Sequence, residues 1–188
     1  FVQWGFRNEA LLLCLAFDRF MRTDEFLSLS AGQFTFNMHR GEMHIILPKT
    51  KTSQRKGRAE SLHVTDPLLV RHFNALCRRL EPSDRLLTVS KARFRELFTS
   101  AVASCGLNMD IKPYSLRRGG ATSFFHTHGS YDRAMEVGRW SDARTARIYI
   151  DTALLELAQM STLTNSIVLK SAAAFTILMQ DERQARGV

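Results

Sequence analysis

The sequence predicts an α+β fold that is mainly α: a helical domain with a small three-stranded antiparallel sheet near its N-terminal part. Three observations predict it. Apolar residues recur at helical spacing over most of the chain, strict alternation is confined to residues 34–64, and no repeat or low-complexity linker divides the 188 residues. That length suits one sizeable domain. With 45% hydrophobic and 23% charged residues, the chain holds enough apolar material for a core and does not read as disordered.

The elements follow in order. The dense apolar residues of 4–21, with Asp18, Arg19 and Arg22 gathered at their end, predict a buried helix. Thr23-Asp24-Glu25 caps a short second helix through about Ser30, and Gly32 breaks it. Phe34-Thr35-Phe36 alternates, Arg40-Gly41-Glu42 turns, and Met43–Leu47 forms a second strand that Pro48 ends. Lys49 to Arg58 (KTKTSQRKGR) is dense in Lys and Arg and lacks any large apolar residue, so it is predicted as an exposed loop; Ser61–Val64 returns as the third strand. Beyond Pro67 everything reads as helix. The predicted segments are 68–80, then 89–105 with a basic face of Lys91, Arg93 and Arg95 and a C-cap signal at Gly106. After them come 113–128, 131–137 stopped by Gly138, 142–160 and 166–180.

Composition excludes several classes. The longest apolar run, Ala10–Phe17, is far too short to span a bilayer. Cys14, Cys77 and Cys105 are odd in number and widely separated, which argues against a disulfide framework, and no Cys/His spacing resembles a zinc site. They are predicted as buried thiols in a reducing compartment. The net charge of +8 and a pI near 9.9 point to a polyanionic partner, nucleic acid first. The chain opens on Phe1 and not Met, which suggests a piece of a longer protein.

Four local features carry chemistry. Arg22 precedes Glu25 by three residues: alone a weak surface ion pair, in a site an arginine held rigid and aimed at an anion. Lys49 and Lys51 sit on the basic hairpin loop, where a lysine serves either as a nonspecific phosphate contact or as a proton donor beside a reacting phosphate. Tyr114-Ser115-Leu116-Arg117-Arg118-Gly119-Gly120-Ala121 follows Pro113. Tyr114 and Arg117 share a face near a helix start that favours anions. The paired glycines imply a close backbone approach to another element or a ligand, because each costs about 1 kcal/mol relative to alanine inside a helix. Last, Gly138-Arg139-Trp140-Ser141 precedes Ile148-Tyr149-Ile150; in isolation this is a core tryptophan and an ordinary helical tyrosine.

Taken together, the order and spacing resemble the catalytic domain of the tyrosine recombinase (phage integrase) family. That family places an arginine followed by a carboxylate, a lysine on a β-hairpin, a His-x-x-Arg helix start, a His or Trp after a glycine, and a tyrosine about nine residues further on. Here these are Arg22 with Glu25, Lys51 (Lys49 being the competing choice), Tyr114-x-x-Arg117, Trp140 and Tyr149. The resemblance covers about residues 9 to 160, and it departs at Tyr114, where the family usually carries His. A phenol of pKa near 10 is a poor general base at neutral pH but a good hydrogen-bond donor.

The resemblance implies an enzyme that cuts and rejoins DNA strands without ATP, through a 3′-phosphotyrosyl intermediate, with Tyr149 as nucleophile. It implies that Arg22, Arg117 and Trp140 bind the phosphate, that Lys51 protonates the leaving oxygen, that Tyr114 completes the site, and that Glu25 holds Arg22. No metal or other cofactor is required. Arg55, Lys56, Arg58, Lys91, Arg93 and Arg95 are the expected further contacts to double-stranded DNA. Residues 1–188 would be the catalytic domain, with the family's N-terminal DNA-clamping domain outside this chain. Residues 161–188 would form a C-terminal helix and tail that docks on a neighbouring subunit, in a tetramer assembled on paired DNA sites. Such a protein belongs to a mobile element, acts in DNA recombination and integration, and works inside the cell on DNA, in cytoplasm, nucleoid or nucleus. Two other readings share the fold: a DNA-binding derivative that has lost catalysis, and a type IB topoisomerase-like enzyme.

Overall fold

A computed structural model of the chain describes residues 1–47, 59–107, 110–148 and 150. Two buried apolar clusters organise it, and the elements are best understood by which cluster they feed.

The first helix is shorter than its apolar pattern. Val2–Trp4 is a 3-10 turn closed by Gly5 at φ 82°, and α1 runs Arg7–Asp18. Leu11, Leu12, Leu15 and Ala16 face the larger cluster. The same helix buries Glu9 completely. Its carboxylate accepts from the backbone N–H of Thr88 at 2.8 Å and from the Thr88 hydroxyl at 2.7 Å, tying α1 to a loop 79 residues away. The second helix, α2 (Thr23–Phe26), is one turn long, with Arg22 as its N-cap in place of the expected Thr23. Gly32 lies inside a 3-10 turn, Ala31–Gln33.

Strands β1 (Phe34–Asn37), β2 (Glu42–Ile46) and β3 (Ser61–Val64) form an antiparallel sheet in the order β1-β2-β3. Period-two alternation assigns the faces. Phe34, Met43, Ile45, Leu62 and Val64 are buried, whereas Thr35, His44, Ile46, Ser61 and His63 are exposed. The register pairs Phe34 with Ile45, and Ile45 with Leu62. The basic loop segment expected between β2 and β3, with Lys49, Lys51, Arg55, Lys56 and Arg58, lies outside the described residues.

Helix α3 (Pro67–Cys77) begins as its sequence dictates. Asp66 caps the backbone N–H groups of Leu68 at 3.0 Å and Leu69 at 2.8 Å, and Pro67 occupies the first turn, where a missing donor is harmless. Helix α4 (Lys91–Ser104) is capped by Ser90 and buries Phe94, Leu97, Phe98 and Val102. At about 100° per residue, Arg93 and Arg95 flank the buried Phe94 stripe from opposite sides instead of sharing one face. Arg93 pairs with Glu96 at 2.9 Å, and Lys91 reaches back to Asp24 at 3.2 Å and Ser28 at 3.0 Å. Cys14, Cys77 and Cys105 are half-buried rather than buried.

Helices α5 (Ser115–His128) and α6 (Tyr131–Gly138) build the smaller cluster, in which Phe20, Ala121, Ala134 and Ile150 are buried and Phe124, Phe125, Tyr131, Val137 and Trp140 pack around them. The paired glycines have their explanation here. A Cβ on Gly120 would overlap the backbone carbonyl of Phe17 and the ring of Phe20, and one on Gly119 would press on the Phe17 ring at 3.2 Å. The close approach is of α5 to the end of α1, not of a ligand. Residues 143–148 and 150 are helical, as expected of the segment from Asp142. The remainder of that segment, Tyr149 itself and the predicted 166–180 helix lie outside the described residues.

Candidate active site

The junctions after α1 and after α6 converge on the first turn of α5. Both are turned by a non-glycine residue in the left-handed region, Phe20 at φ 47° and Arg139 at φ 57°, and among the described residues no other non-glycine residue adopts positive φ. This conformation costs an L-residue roughly 1–2 kcal/mol and persists only where surrounding contacts enforce it. Arg117 supplies such contacts. One terminal nitrogen of its guanidinium donates to the carbonyl of Phe20, and the other donates to the carbonyl of Gly138 at 2.8 Å.

Arg117 is 2% exposed. Its guanidinium carbon stands 4.7 Å from the centre of the Trp140 ring, and that ring stacks in turn on Phe20 at 6.2 Å. Burial, followed by the charges of Arg22 and Arg139, lowers its pKa to about 10, against smaller opposing contributions from Glu25 and Tyr114. It is still a cation at neutral pH. Among the described residues its hydrogen bonds go to these neutral carbonyls, so its charge is left to the field of its neighbours.

Those neighbours form a second layer. Glu25, whose side chain is 2% exposed, accepts from the backbone N–H of Arg22 at 2.8 Å, from Nη1 of Arg22 at 2.6 Å and from Nη2 of Arg139 at 2.6 Å. The Arg22–Glu25 pair is therefore not a solvated surface pair: its carboxylate is buried and saturated by charge-assisted donors. Glu60, just before β3, lies 3.3 Å from Nε of Arg139 and 3.8 Å from Nη1 of Arg22. Three guanidiniums (Arg22, Arg117, Arg139) face two carboxylates (Glu25, Glu60), so among the described residues the group carries one uncompensated positive charge.

Trp140 is placed by Gly138. Gly138 was expected to stop the helix; it is the last residue of α6, and the left-handed cap is Arg139. Gly138 is required for another reason: a Cβ there would collide with the six-membered ring of Trp140. The ring lies over the helix end, beside a cleft of about 290 Å³ bordered by Ala59, Glu60, Ser61, Met135, Arg139 and Trp140. Tyr114 is the N-cap of α5 and is 40% exposed.

The fold thus brings together Arg22, Glu25, Arg117, Trp140 and Tyr114 from three separate stretches of chain. Lys49, Lys51 and Tyr149 lie outside the described residues, as do Arg55, Lys56 and Arg58. Lys91, Arg93 and Arg95 lie on α4, outside the Arg117 group. Two members of the group had been given no role from the sequence. Arg139 was visible only as the residue beside Trp140, and Glu60 had no local signal, because its partners are distant in sequence.

The arrangement of helices around a three-stranded sheet is the fold of tyrosine recombinase catalytic domains. The XerH site-specific recombinase, solved in a post-cleavage complex with palindromic difH substrate, superposes with a TM-score of 0.61 at 18% identity, over 81% of this chain and 45% of that one. The XerA recombinase gives 0.54 at 15% identity, over 84% of this chain and 64% of that one. The Tn1549 transposon integrase, in complex with a circular intermediate DNA, gives 0.51 at 9% identity, over 81% and 58%. The chain belongs to the phage integrase family, whose profile matches residues 5–155. It spans about half the length of the XerH chains it matches. No curated protein matches it by sequence.

Proposed function

We propose that this chain is the strand-cutting and rejoining part of a site-specific DNA recombinase or integrase. The observation that carries the reading is the buried, uncompensated positive charge at Arg117, with Arg22 fixed by Glu25 beside it and Trp140 across its face. A desolvated guanidinium held by neutral carbonyls is a preorganised anion receptor, and a phosphate passing to its transition state gains negative charge on its nonbridging oxygens. The relatives fit the reading: XerH structures hold difH before and after cleavage.

In the proposed reaction Tyr149 gives up its hydroxyl proton to solvent water as its oxygen attacks a backbone phosphorus of double-stranded DNA, forming a 3′-phosphotyrosyl bond as the bond from phosphorus to the 5′-oxygen breaks. Lys51 donates the proton that the 5′-oxygen takes up on leaving. Arg22 and Arg117 bind the nonbridging oxygens with the N–H groups not already donating to Glu25 and to the carbonyls of Phe20 and Gly138, and the Trp140 indole N–H donates to one of them. Arg139 and Glu60 hold the Glu25–Arg22 pair in place. Tyr114 donates a hydrogen bond to the phosphate at the helix start. Attack by another 5′-hydroxyl reverses the bond changes and rejoins the strand, so the phosphodiester energy is conserved and no ATP is consumed. Arg55, Lys56, Arg58, Lys91, Arg93 and Arg95 add phosphate contacts whose contribution falls steeply with salt. The C-terminal segment 161–188 docks on a neighbouring subunit in a tetramer on paired sites, and the protein acts on DNA inside the cell.

The Tyr114 departure supports one other reading, a DNA-binding derivative without catalysis. A nicked substrate that traps the covalent intermediate separates the two. The parent should form the adduct, and Arg117→Lys, which keeps the charge but loses the planar fork, should form it about 10²- to 10³-fold more slowly. Equal rates would remove Arg117 from the chemistry, and binding without any adduct in the parent would favour the derivative.

A further inference from the structure

The outer face of the sheet carries an arrangement for which strand cleavage has no use. His44 on β2 and His63 on β3 are direct cross-strand partners. Their rings stack with centroids 4.6 Å apart and 11° between planes. Glu42 lies two residues before His44, so it projects from the same face, and its Oε2 is 3.7 Å from Nε2 of His63. One ligand atom from each of the three side chains can be chosen so that all lie within 4.8 Å of one another.

We propose that Glu42, His44 and His63 form a binding site for a divalent transition-metal ion of the zinc, cobalt, nickel or copper type. Imidazole nitrogens favour these ions over magnesium or calcium. Two His and one carboxylate form a ligand set that zinc accepts with its fourth position open to water. At the usual metal–ligand bond lengths of about 2.0–2.2 Å, tetrahedral ligand atoms lie roughly 3.3 Å apart. The Glu42–His63 contact is already close to that, and the remaining gap needs side-chain rotation without movement of the paired strands.

The surroundings permit a cation. Arg19 donates to the backbone carbonyl of His63 at 2.9 Å, and its charge is met by Asp18 at 2.7 and 3.2 Å. A cleft of about 390 Å³ bordered by Arg19, His63, Phe124 and Arg133 leaves the approach open. His44 and His63 stand two strand positions from the Ile46–Ser61 pair, where β2 gives way to the loop and β3 begins. A bound ion would therefore pin β2 to β3. The site itself does not depend on the proposed reaction.

The test is a Zn²⁺ titration of the whole chain by calorimetry, repeated with Co²⁺ and followed by visible absorption. Comparison variants are His44→Ala and His63→Asn, both at exposed positions, with circular dichroism as the check that each remains folded. The expected result is saturable binding of one ion by the parent, a Co²⁺ spectrum free of thiolate charge-transfer bands, and an affinity at least 10–100-fold weaker in either variant, since removing even a group that only orients a ligand costs about that much. A Zn²⁺-dependent rise in unfolding temperature should appear in the parent alone. Absence of saturable binding, affinity unchanged in both variants, or a thiolate band that assigns the ion to cysteine would each overturn the proposal.

Discussion

Replacing Glu25 with alanine removes one buried carboxylate and strands two guanidiniums. Three donors lose their acceptor: the Arg22 backbone N–H at 2.8 Å, Nη1 of Arg22 at 2.6 Å and Nη2 of Arg139 at 2.6 Å. They do not count equally. The Arg22 side chain is 34% exposed, so water replaces much of what it loses and its contribution is discounted. Arg139, at 10%, has no such recourse, though Glu60 remains 3.3 Å from its Nε. Removing one partner of a buried pair costs about 3–5 kcal/mol, and the residual Glu60 contact places Glu25→Ala near the lower end, about 3 kcal/mol. For a domain of this size that is a fall of about 6–12 °C in unfolding temperature. Denaturant melts of the parent, Glu25→Ala, Arg139→Ala and the double variant give the pairwise term directly. A loss under about 0.5 kcal/mol for Glu25→Ala, as at an ordinary surface position, or additivity of the two variants within about 0.3–0.5 kcal/mol, would refute the network as described.

Gly120→Ala drives a methyl group into the backbone of Phe17, which cannot rotate away, whereas Gly138→Ala meets the movable ring of Trp140. Both should destabilise by about 1–3 kcal/mol, with Gly120→Ala the worse in thermal melts and Gly138→Ala the one that shifts tryptophan fluorescence. Burial raises the Cys77 thiol to about 11. Its reactive thiolate is scarce at pH 8 and grows as pH approaches that value, so peptide mapping after iodoacetamide treatment should show Cys77 alkylation rising steeply above pH 9. Full alkylation of Cys77 at pH 7 in the folded protein would contradict the raised pKa.

How far the sequence could be read depended on whether the deciding contacts were local. The sheet was legible because alternation in Phe34–Phe36 and Ser61–Val64 is a local consequence of one-sided burial. The start of α3 was legible because Asp66 and Pro67 act on adjacent residues. The first helix was overextended: Gly5 and the 3-10 turn before it lie inside an apolar run that continues into the core whatever its backbone does. Gly138 ends α6 as the sequence suggests, but its glycine requirement comes from the Trp140 ring and not from φ. Arg22, Glu25, Arg117 and Trp140 are picked out by spacing that resembles the family, and the fold brings them together. Glu60 was invisible, since its carboxylate meets Arg139 across 79 residues. The Glu42–His44–His63 set was missed because it spans two strands, a juxtaposition that no linear Cys/His spacing encodes.

The central claim is that Tyr149 becomes covalently joined to DNA, and the direct test is to trap that adduct on a nicked duplex and map it by mass spectrometry. The account predicts a phosphotyrosyl linkage at Tyr149 in the parent, and none in Tyr149→Phe although that variant still binds the duplex. A linkage that persists in Tyr149→Phe, or that maps to another residue, would contradict it.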